Sequence, residues 1–318
     1  METPGRPQRY TLRMRDAKPT TPEAIERDFL EQGFVCTGEV ATTLYLAEQL
    51  KKPVLLEGPP GVGKTELGKL WAGFHQARLI RLQCYEGLDE AKALYEWAYG
   101  KQMLYTQLLR EKTGDLLSGA TDLREAIGRL SGQADAFFSR EFLLERPLLA
   151  AITSTEPVVL LVDEIDRADE EFEAFLLELL SDYQITIPEL GTIRAGRPPR
   201  VILTSNDSRD LADALRRRCL YLYVDYPDYD DELKIIEQRV PGISDKLAER
   251  VVRFSQSLRK ADLRKQPGIS EVVDWALALV VTGADELSGP TLRRTLGALL
   301  KNREDLDHVM SELSRFRS

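Results

Sequence analysis

The sequence predicts an α/β fold in which helices cover both faces of a parallel five-stranded sheet, followed by a small all-helical domain. Up to about residue 227, short apolar runs alternate with amphipathic helical stretches, which is the pattern of a parallel sheet buried on both faces. After Pro227 only helical stretches follow. The expected organisation is a flexible lead-in over residues 1–20, an α/β domain over 21–227 and a helical lid domain over 228–318.

The elements of the α/β domain can be placed in order along the chain. A first helix begins at Thr21 and Pro22, a capping residue followed by a residue favoured at the first helical position, and it ends at Gly33. A second amphipathic helix spans residues 39–50. Five apolar runs predict the strands, namely PVLLEG, RLIRLQC, VVLLVD, RVILTSN and LYLYVDY. Helices lie between these runs, notably over residues 65–76 and 170–180.

Further segments complete this prediction. The run YQITIPELGTIRAGRPP suits a hairpin that leads into the RVILTSN strand. Residues 100–140 have a polar, helical pattern and form an insertion that either binds a partner or shields the sheet. The acids from Asp169 to Glu173 indicate the exposed first turn of a helix. In the lid domain, helices are expected over residues 231–240, 245–258, 271–281 and 291–301.

The composition restricts the classes of function. Of 318 residues, 43% are hydrophobic and 30% charged, which is typical of a globular protein. A net charge of −9, without a basic stretch interleaved with aromatic residues, argues against nucleic acid as a partner. Three scattered cysteines and two histidines lack the spacing of a disulfide framework or a zinc site. No apolar signal core opens the chain and no apolar run is long enough to span a membrane, so we expect a cytoplasmic protein.

The segment GPPGVGKT fits the phosphate-loop pattern G-x-x-x-x-G-K-[ST]. It follows an apolar strand and opens a helix, the context in which loop glycines let backbone N–H groups and the helix N-terminus face an anion. Lys64 is expected to reach the β- and γ-phosphates of ATP, and the Thr65 hydroxyl to bind Mg²⁺. The alternative is a glycine-rich turn with an incidental lysine. The predicted ATP-binding residues are Gly58, Pro59, Pro60, Gly61, Val62, Gly63, Lys64, Thr65 and Glu66.

Polar side chains also end two other predicted strands. Asp163 and Glu164 follow the run VVLLV; we expect Asp163 to hold Mg²⁺ with Thr65, and Glu164 to act as the base that activates water. Asn206 ends RVILTSN, where its amide can hydrogen-bond the attacking water or the γ-phosphate. Asp and Asn also collect at turns for structural reasons, so these roles depend on the phosphate loop nearby.

Together, the strand–phosphate loop–helix unit, the acidic DEID, the strand-tip Asn206, the arginine-rich helix end and the helical C-terminal domain resemble an AAA+ ATPase over about residues 34–305. The resemblance is closer to the MoxR group, whose Walker B region typically runs D-E-I-N-R-A. Here that region reads DEIDRA, with Asp166 in place of the Asn. The segments RLQCYEGLD, YEW and PGISEVVDW are similar to the CoxD-type branch of that group.

The run ALRRRC places three consecutive arginines in an acidic chain. Cations at a helix C-terminus complement the helix dipole, which accounts for one or two of them. The AAA+ resemblance implies a further role, because in that family the ATP site lies between subunits of a ring, usually a hexamer, and a neighbour supplies an arginine finger. The family's finger position corresponds to Arg218, and Arg217 is a second candidate for a finger or an interface pair. Such fingers are worth roughly a thousandfold or more in rate.

One segment departs from the family pattern. The family usually carries a sensor-2 arginine near the start of the third lid helix, within a Ser-Pro-Arg-like run. In this chain the corresponding region reads PGISEVVDW and has no arginine. Arg264 and Arg293 lie nearby in the sequence, which does not decide between them.

These residues and the resemblance imply an Mg²⁺-dependent ATPase that remodels or matures protein clients. MoxR-type ATPases generally act with a partner carrying a von Willebrand factor A (VWA) domain, and the CoxD-type branch is implicated in maturing molybdenum hydroxylases. A nucleic-acid-directed motor is an alternative that the acidic composition disfavours. An ATP-binding scaffold or switch is another, which the set of Glu164, Asn206 and Arg218 disfavours. A P-loop kinase is the weakest alternative.

Overall fold

The computed structural model describes residues 20–105, 107, 139–188, 190–284 and 286–312. Nearly all of the predicted lead-in and most of the predicted insertion therefore lie outside the described residues. Among the described residues, no helix combines the length and the apolar character that crossing a bilayer requires.

Helices and strands alternate along the chain as far as Tyr223. The helices of this part with defined bounds are α1 Pro22–Glu31, α2 Gly38–Leu50, α3 Lys64–Phe74, α4 Glu90–Ala93, α5 Pro147–Thr153, α6 Glu170–Asp182 and α7 Asp213–Arg218. Residues 99–105 are also helical. The strands are β1 Val54–Glu57, β2 Arg78–Gln83, β3 Tyr95–Trp97, β4 Leu143–Glu145, β5 Val158–Asp163, β6 Gln184–Ile187, β7 Gly191–Arg194, β8 Arg200–Ser205 and β9 Leu220–Tyr223. Only helices follow in the described residues: α8 Tyr229–Arg239, α9 Asp245–Arg259, α10 Ile269–Val281, α11 Gly289–Leu299 and α12 Arg303–Ser311.

The five apolar runs form one parallel sheet, as predicted. Its strand order is β2-β5-β8-β1-β9, and every pairing in it is parallel. Because the strands are parallel, their carboxyl ends meet at one edge: Glu57 pairs with Ser205 of β8, and Gln83 pairs with Asp163 of β5. This edge therefore brings together Asp163 at the end of β5, Asn206 after β8 and the phosphate loop after β1.

Both faces of the sheet are buried, which explains why its strands read as apolar runs rather than as alternating patterns. In β5, Leu160 and Val162 join the hydrophobic core on one face, and Val159 and Leu161 join the core on the other. Helices α5 and α6 contribute to the first core, and α1, α2 and α3 to the second. A third core lies among helices α8 to α12, where Trp275 is fully buried.

Of three smaller elements, the sequence patterns predicted one and missed two. The hairpin is confirmed, since β6 and β7 pair antiparallel from Gln184 with Arg194 to Ile187 with Gly191. The ribbon of β3 and β4 was not predicted, because three residues a strand are too few to show a period. Helix α12 was also missed; Asn302 caps it by accepting hydrogen bonds from the N–H groups of Glu304 and Asp305.

The predicted exposed first turn of α6 is confirmed for Asp169, Glu170 and Glu171, and it is wrong for Glu173. Asp169 does cap the helix, accepting a hydrogen bond from the N–H of Phe172 at 2.9 Å. Glu173, however, is fully buried. It accepts a hydrogen bond from the N–H of Ala212 at 2.8 Å and pairs with Arg209. These partners come from the loop after β8, so no local pattern could reveal that this acid is buried.

Candidate nucleotide-binding site

The phosphate loop connects β1 to α3 with a backbone that requires glycine. Gly61 and Gly63 have φ of 81° and 100°, in the left-handed region that side chains disfavour. Gly58 lies so close to the segment after β9 that a Cβ atom on it would stand 2.0 Å from the carbonyl oxygen of Val224. The glycines of the motif thus occupy positions where a side chain would strain the backbone or clash with it.

Helix α3 begins at the end of this loop without a side-chain cap, because its N-cap residue is Gly63. An uncapped N-terminus has N–H groups available to bind an anion. The ammonium of Lys64 is folded back over the loop and donates hydrogen bonds to the carbonyl oxygens of Gly58 and Pro59, both at 2.7 Å. Burial lowers the pKa of Lys64 to about 8, although the carboxylates of Asp166 and Asp163 oppose this shift.

The two predicted Mg²⁺ ligands lie side by side. The Thr65 hydroxyl is 3.0 and 3.1 Å from the two carboxylate oxygens of Asp163, which is 2% exposed. A hydroxyl and a carboxylate at the mouth of a phosphate loop are the oxygen donors that Mg²⁺ accepts there. The residues present therefore fit this ion together with nucleotide phosphates.

Two residues that the sequence analysis missed hold Asp163 in place. Thr204 donates its hydroxyl proton to Asp163 Oδ1 at 2.5 Å, and Arg81 donates from Nε to Oδ2 at 3.0 Å. Both lie on the neighbouring strands β8 and β2, so only the strand order could have indicated them. They fix the orientation of a carboxylate whose position decides whether a metal ion can bind.

Glu164 leaves β5 in a left-handed conformation, with φ of 57°. Its N–H donates to the Thr204 hydroxyl at 2.9 Å, so Thr204 links Glu164 to Asp163. The Glu164 carboxylate pairs with Arg167 Nε at 2.7 Å, and the Arg167 side chain is 60% exposed. Strain of this kind at a non-glycine residue is characteristic of functional sites.

Asn206 directly follows β8 and is half-buried. The loop that carries it is tied to the turn after β5 through Asp166, which is 4% exposed. Asp166 Oδ2 accepts hydrogen bonds from the N–H and hydroxyl of Ser208 at 3.2 and 2.5 Å. The structure therefore brings Asn206 and Glu164 to adjacent strand ends beside the phosphate loop.

The three arginines of α7 have three different environments. Arg216 makes a bidentate ion pair with Glu57 at 2.9 and 3.1 Å, and its side chain is 30% exposed. Arg217 is 82% exposed and lies 3.9 Å from Asp213. Arg218 is partly buried and donates to the Ser181 hydroxyl at 2.5 Å and to the Ala214 carbonyl oxygen at 2.9 Å. These partners of Arg217 and Arg218 lie in α6 and α7, not in the phosphate loop of the same chain.

A cavity of about 350 Å³ opens beside the phosphate loop. Its walls come from the segment between α1 and α2, from residues 61–63 and Glu66, from the connection between β9 and α8, and from helices α8 and α10. The cavity is of the size that small-molecule sites have. Its position next to an anion-binding loop suits the base and sugar of a nucleotide.

Neither candidate for a sensor-2 arginine lies in this cavity. Arg264 pairs with Glu304 of α12 at 2.7 Å, and its side chain is 67% exposed. Arg293 is an exposed residue of α11. The start of α10 approaches the phosphate loop instead with its backbone, because the N–H of Ile269 donates to the Gly61 carbonyl oxygen at 3.0 Å.

A parallel sheet with a phosphate loop, a hydroxyl–carboxylate pair and a helical C-terminal region defines a P-loop nucleotide-binding protein. The family model for the AAA domain, dynein-related subfamily, matches residues 53–219, more than half of the chain. The chain therefore belongs to the AAA family of ATPases. The matched region runs from the residue before β1 to Cys219, and so it contains the predicted catalytic and metal-binding residues.

Relatives and solved structures are similar to the chain over most of its length. An uncharacterized protein of Staphylococcus aureus is 28% identical over 70% of this chain and 73% of its own. An uncharacterized protein of Staphylococcus haemolyticus is 27% identical over 73% of this chain and 76% of its own. The structure of the Thermotoga maritima RuvB T158V variant matches with a TM-score of 0.49 and 20% identity, over 92% of this chain and 81% of that one. These likenesses do not bear on what this chain acts on.

Proposed function

We propose that this protein is an Mg²⁺-dependent ATPase that hydrolyses ATP between subunits of a ring and uses the energy to remodel protein clients. The observation that carries the proposal is the pairing of the Thr65 hydroxyl with the buried Asp163 carboxylate at 3.0 Å, beside an uncapped helix N-terminus. Membership of the AAA family supports ATP as the nucleotide.

The chain's own residues divide the work of hydrolysis. Backbone N–H groups of the phosphate loop bind the phosphates. The Lys64 ammonium gives up its hydrogen bonds to the loop carbonyl oxygens and donates to phosphate oxygens instead. Thr65 and Asp163 would hold Mg²⁺, which when bound neutralises phosphate charge. Glu164 accepts the proton of the attacking water once its carboxylate leaves Arg167, and Asn206 orients that water.

Arg218 would complete the site of the neighbouring subunit. Its position at the C-terminus of α7, beside α6, is compatible with contact to a second copy of the chain once the bond to Ser181 opens. Charge delocalised over a guanidinium stabilises the transferring phosphoryl group in its transition state. Arg217, with 82% of its side chain exposed, is the alternative finger.

The finer assignment follows from the resemblance to the MoxR group and its CoxD-type branch. On that assignment the protein forms a hexameric ring, acts with a VWA-domain partner in the cytoplasm, and takes part in maturing a metalloenzyme such as a molybdenum hydroxylase. The DEIDRA turn and the segment PGISEVVDW support it.

The first experiment tests the assignment of the site. Lys64→Ala is expected to lose ATP binding, measured by calorimetry, whereas Lys69→Ala, on the same helix with a 51% exposed side chain, keeps it. Glu164→Gln is expected to bind ATP and lose hydrolysis by at least a hundredfold. Normal ATP affinity in Lys64→Ala, or undiminished turnover in Glu164→Gln, would contradict the proposal.

A second experiment tests the shared site. Glu164→Gln and Arg218→Ala are each expected to be nearly inactive, and mixing them should restore part of the activity, because hybrid interfaces join an intact base to an intact finger. Mixing Glu164→Gln with Arg217→Ala in the same way separates the two candidates. Only the variant that lacks the arginine finger should be inactive alone and regain activity in the mixture. Mixed rings that stay inactive despite demonstrated subunit exchange would refute a role in trans.

A further inference from the structure

The start of α10 packs directly onto the phosphate loop, backbone against backbone. A Cβ atom on Gly268 would lie 2.8 Å from the Cα of Gly61, which is closer than real Cβ contacts, and 3.0 Å from the carbonyl oxygen of Gly61, which is unusually tight. The N–H of Ile269 donates to that same carbonyl oxygen at 3.0 Å. The helical part of the chain thus touches the phosphate loop backbone to backbone. The Glu271 carboxylate lies beside this contact, since its Oε2 would stand 2.7 Å from a Cβ on Gly268 and 3.5 Å from a Cβ on Gly61.

One buried side chain fixes the segment that makes this contact. Arg259, at the end of α9, is 7% exposed, and its Nε donates to the carbonyl oxygen of Pro267 at 3.0 Å. Its other two nitrogens bind both carboxylate oxygens of Glu232, a fully buried residue of α8, at 2.8 Å each. Gln266 adds a second link by donating to the Arg259 carbonyl oxygen at 2.9 Å. The guanidinium is therefore held at all three nitrogens.

The same guanidinium also reaches the wall of the nucleotide cavity. It lies over the ring of Tyr226, 4.4 Å from the ring centre, in cation–π geometry. Tyr226 lines the cavity and belongs to the connection between β9 and α8. Arg259 therefore contacts, at once, the core of the helical part, the segment docked on Gly61 and an aromatic wall of the cavity.

Stability alone is a weak reason for this arrangement. A buried ion pair seldom stabilises a fold more than apolar residues of the same volume, because both charges lose their hydration. The pair does give a fixed geometry, since a guanidinium and a carboxylate meet in only one plane. Such a fixed geometry is needed if a movement of the phosphate loop is to be transmitted to the helices.

We propose that Arg259 is the positioning residue that couples nucleotide binding to the orientation of helices α8 to α12, through Pro267 and the Gly61–Gly268 contact. Phosphate binding shifts the loop at Gly61, the hydrogen bond from Ile269 carries the shift, and the rigid Arg259–Glu232 pair turns the helices with it. This coupling needs no contact between Arg259 and the nucleotide. It rests on the proposed ATP site.

The test compares Arg259→Lys with Arg253→Lys. Lysine keeps the charge but cannot span Glu232 and Pro267 together. Arg253 is a matched control on α9: it also lies near an aromatic ring, 5.9 Å from that of Tyr229, but its side chain is 65% exposed. We expect Arg259→Lys to raise the KM for ATP at least fivefold with kcat within about twofold, and Arg253→Lys to change neither. A merely structural role would lower the folded fraction, and so kcat, without raising KM.

A second variant avoids disturbing the buried pair. Gly268 has φ of −77°, so Gly268→Ala adds no strain to its own backbone conformation. Its Cβ would meet the movable Glu271 carboxylate at 2.7 Å and the fixed Cα of Gly61 at 2.8 Å, and so it would wedge the segment off Gly61. Gly297→Ala is its control, because a Cβ there meets open space in α11. Gly268→Ala is expected to raise the KM as Arg259→Lys does, whereas Gly297→Ala keeps the wild-type value.

Movement is measured by electron spin labels at Lys69→Cys on α3 and Lys260→Cys after α9, both exposed positions. The native thiols of Cys36, Cys84 and Cys219 are buried, and burial raises the pKa of each to about 12, so they label poorly. Adding Mg²⁺ and the slowly hydrolysed analogue ATPγS is expected to shift the label distance in the parent protein and not in Arg259→Lys or Gly268→Ala.

The outcomes separate this inference from the proposed function. A parent protein that binds no nucleotide refutes the ATP site, and the coupling with it. A parent that binds nucleotide without a change of label distance overturns the coupling alone. Well-folded Arg259→Lys and Gly268→Ala variants with wild-type KM and an unchanged distance shift overturn it too.

Discussion

Replacing Arg216 by methionine is expected to destabilise the protein strongly, and far more than the same change at the exposed Arg217 of the same run. Methionine keeps most of the apolar stem and removes the guanidinium that pairs with Glu57 at 2.9 and 3.1 Å. The Glu57 carboxylate is then left in the interior, since its side chain is 4% exposed. Its remaining partner is the Tyr221 hydroxyl, which donates at 2.9 Å.

The magnitude follows from the burial of the pair. Removing one member of a buried ion pair costs about 3 to 5 kcal/mol, because the other charge loses its compensation. The Arg216 side chain is 30% exposed, so water can approach the vacated space and the lower end of that range, about 3 kcal/mol, applies. The 82% exposed Arg217 sets the contrast: Arg217→Met should change stability by less than about 0.5 kcal/mol.

Urea denaturation followed by tryptophan fluorescence measures both variants. With a slope of about 3 kcal/mol per molar urea, Arg216→Met should lower the midpoint by about 1 M. Adding Glu57→Gln to Arg216→Met removes the unpaired charge and should restore more than half of the loss. Equal effects of Arg216→Met and Arg217→Met, or no recovery in the double variant, would refute the reasoning.

Three further predictions concern other parts of the molecule. Burial, followed by the charge of Arg200, lowers the pKa of His75 to about 4. The unfolded chain therefore binds more protons than the folded chain between pH 4 and 6.5, and stability is lost as pH falls through that range. His75→Gln should remove about 2 kcal/mol of the loss between pH 7 and 5, measured by urea denaturation at each pH, and an unchanged pH profile would contradict this. Gly58→Ala should weaken ATP binding at least tenfold by calorimetry, since its Cβ would stand 2.0 Å from a backbone oxygen, and wild-type affinity would show that the loop adapts. Asp166→Ala should lower kcat at least tenfold with KM within about twofold, because the loop carrying Asn206 loses its anchor; a change confined to KM would place Asp166 in binding instead.

The sheet could be predicted from the sequence because its strands are buried on both faces and read as apolar runs. The phosphate loop could be predicted because its backbone has positive φ angles at positions 61 and 63, which favour glycine. This requirement is local, so it shows in the sequence as a fixed spacing of glycines. The placement of Asp163 beside Thr65 followed from the rule that parallel strands end at a common edge.

What escaped the sequence are pairings between distant residues. Arg259 reaches Glu232 across 27 positions, and Arg81 reaches Asp163 across 82. The burial of Glu173 depends on a loop 39 residues further along the chain. The residues around a charged side chain in a polar stretch do not indicate its partner, so such pairs can be identified only from the three-dimensional structure.

The three arginines of α7 also limit how this helix can evolve. Successive residues of a helix point about 100° apart. Arg216 therefore faces Glu57 of β1, Arg217 faces solvent and Arg218 faces Ser181 of α6. Leu215, which is fully buried, fixes that rotation. Deleting or inserting a single residue would rotate the helix and turn each arginine away from its present surroundings. We therefore expect the length of the helix, more than the identity of any one cation, to be preserved in lineages that retain the same chemistry.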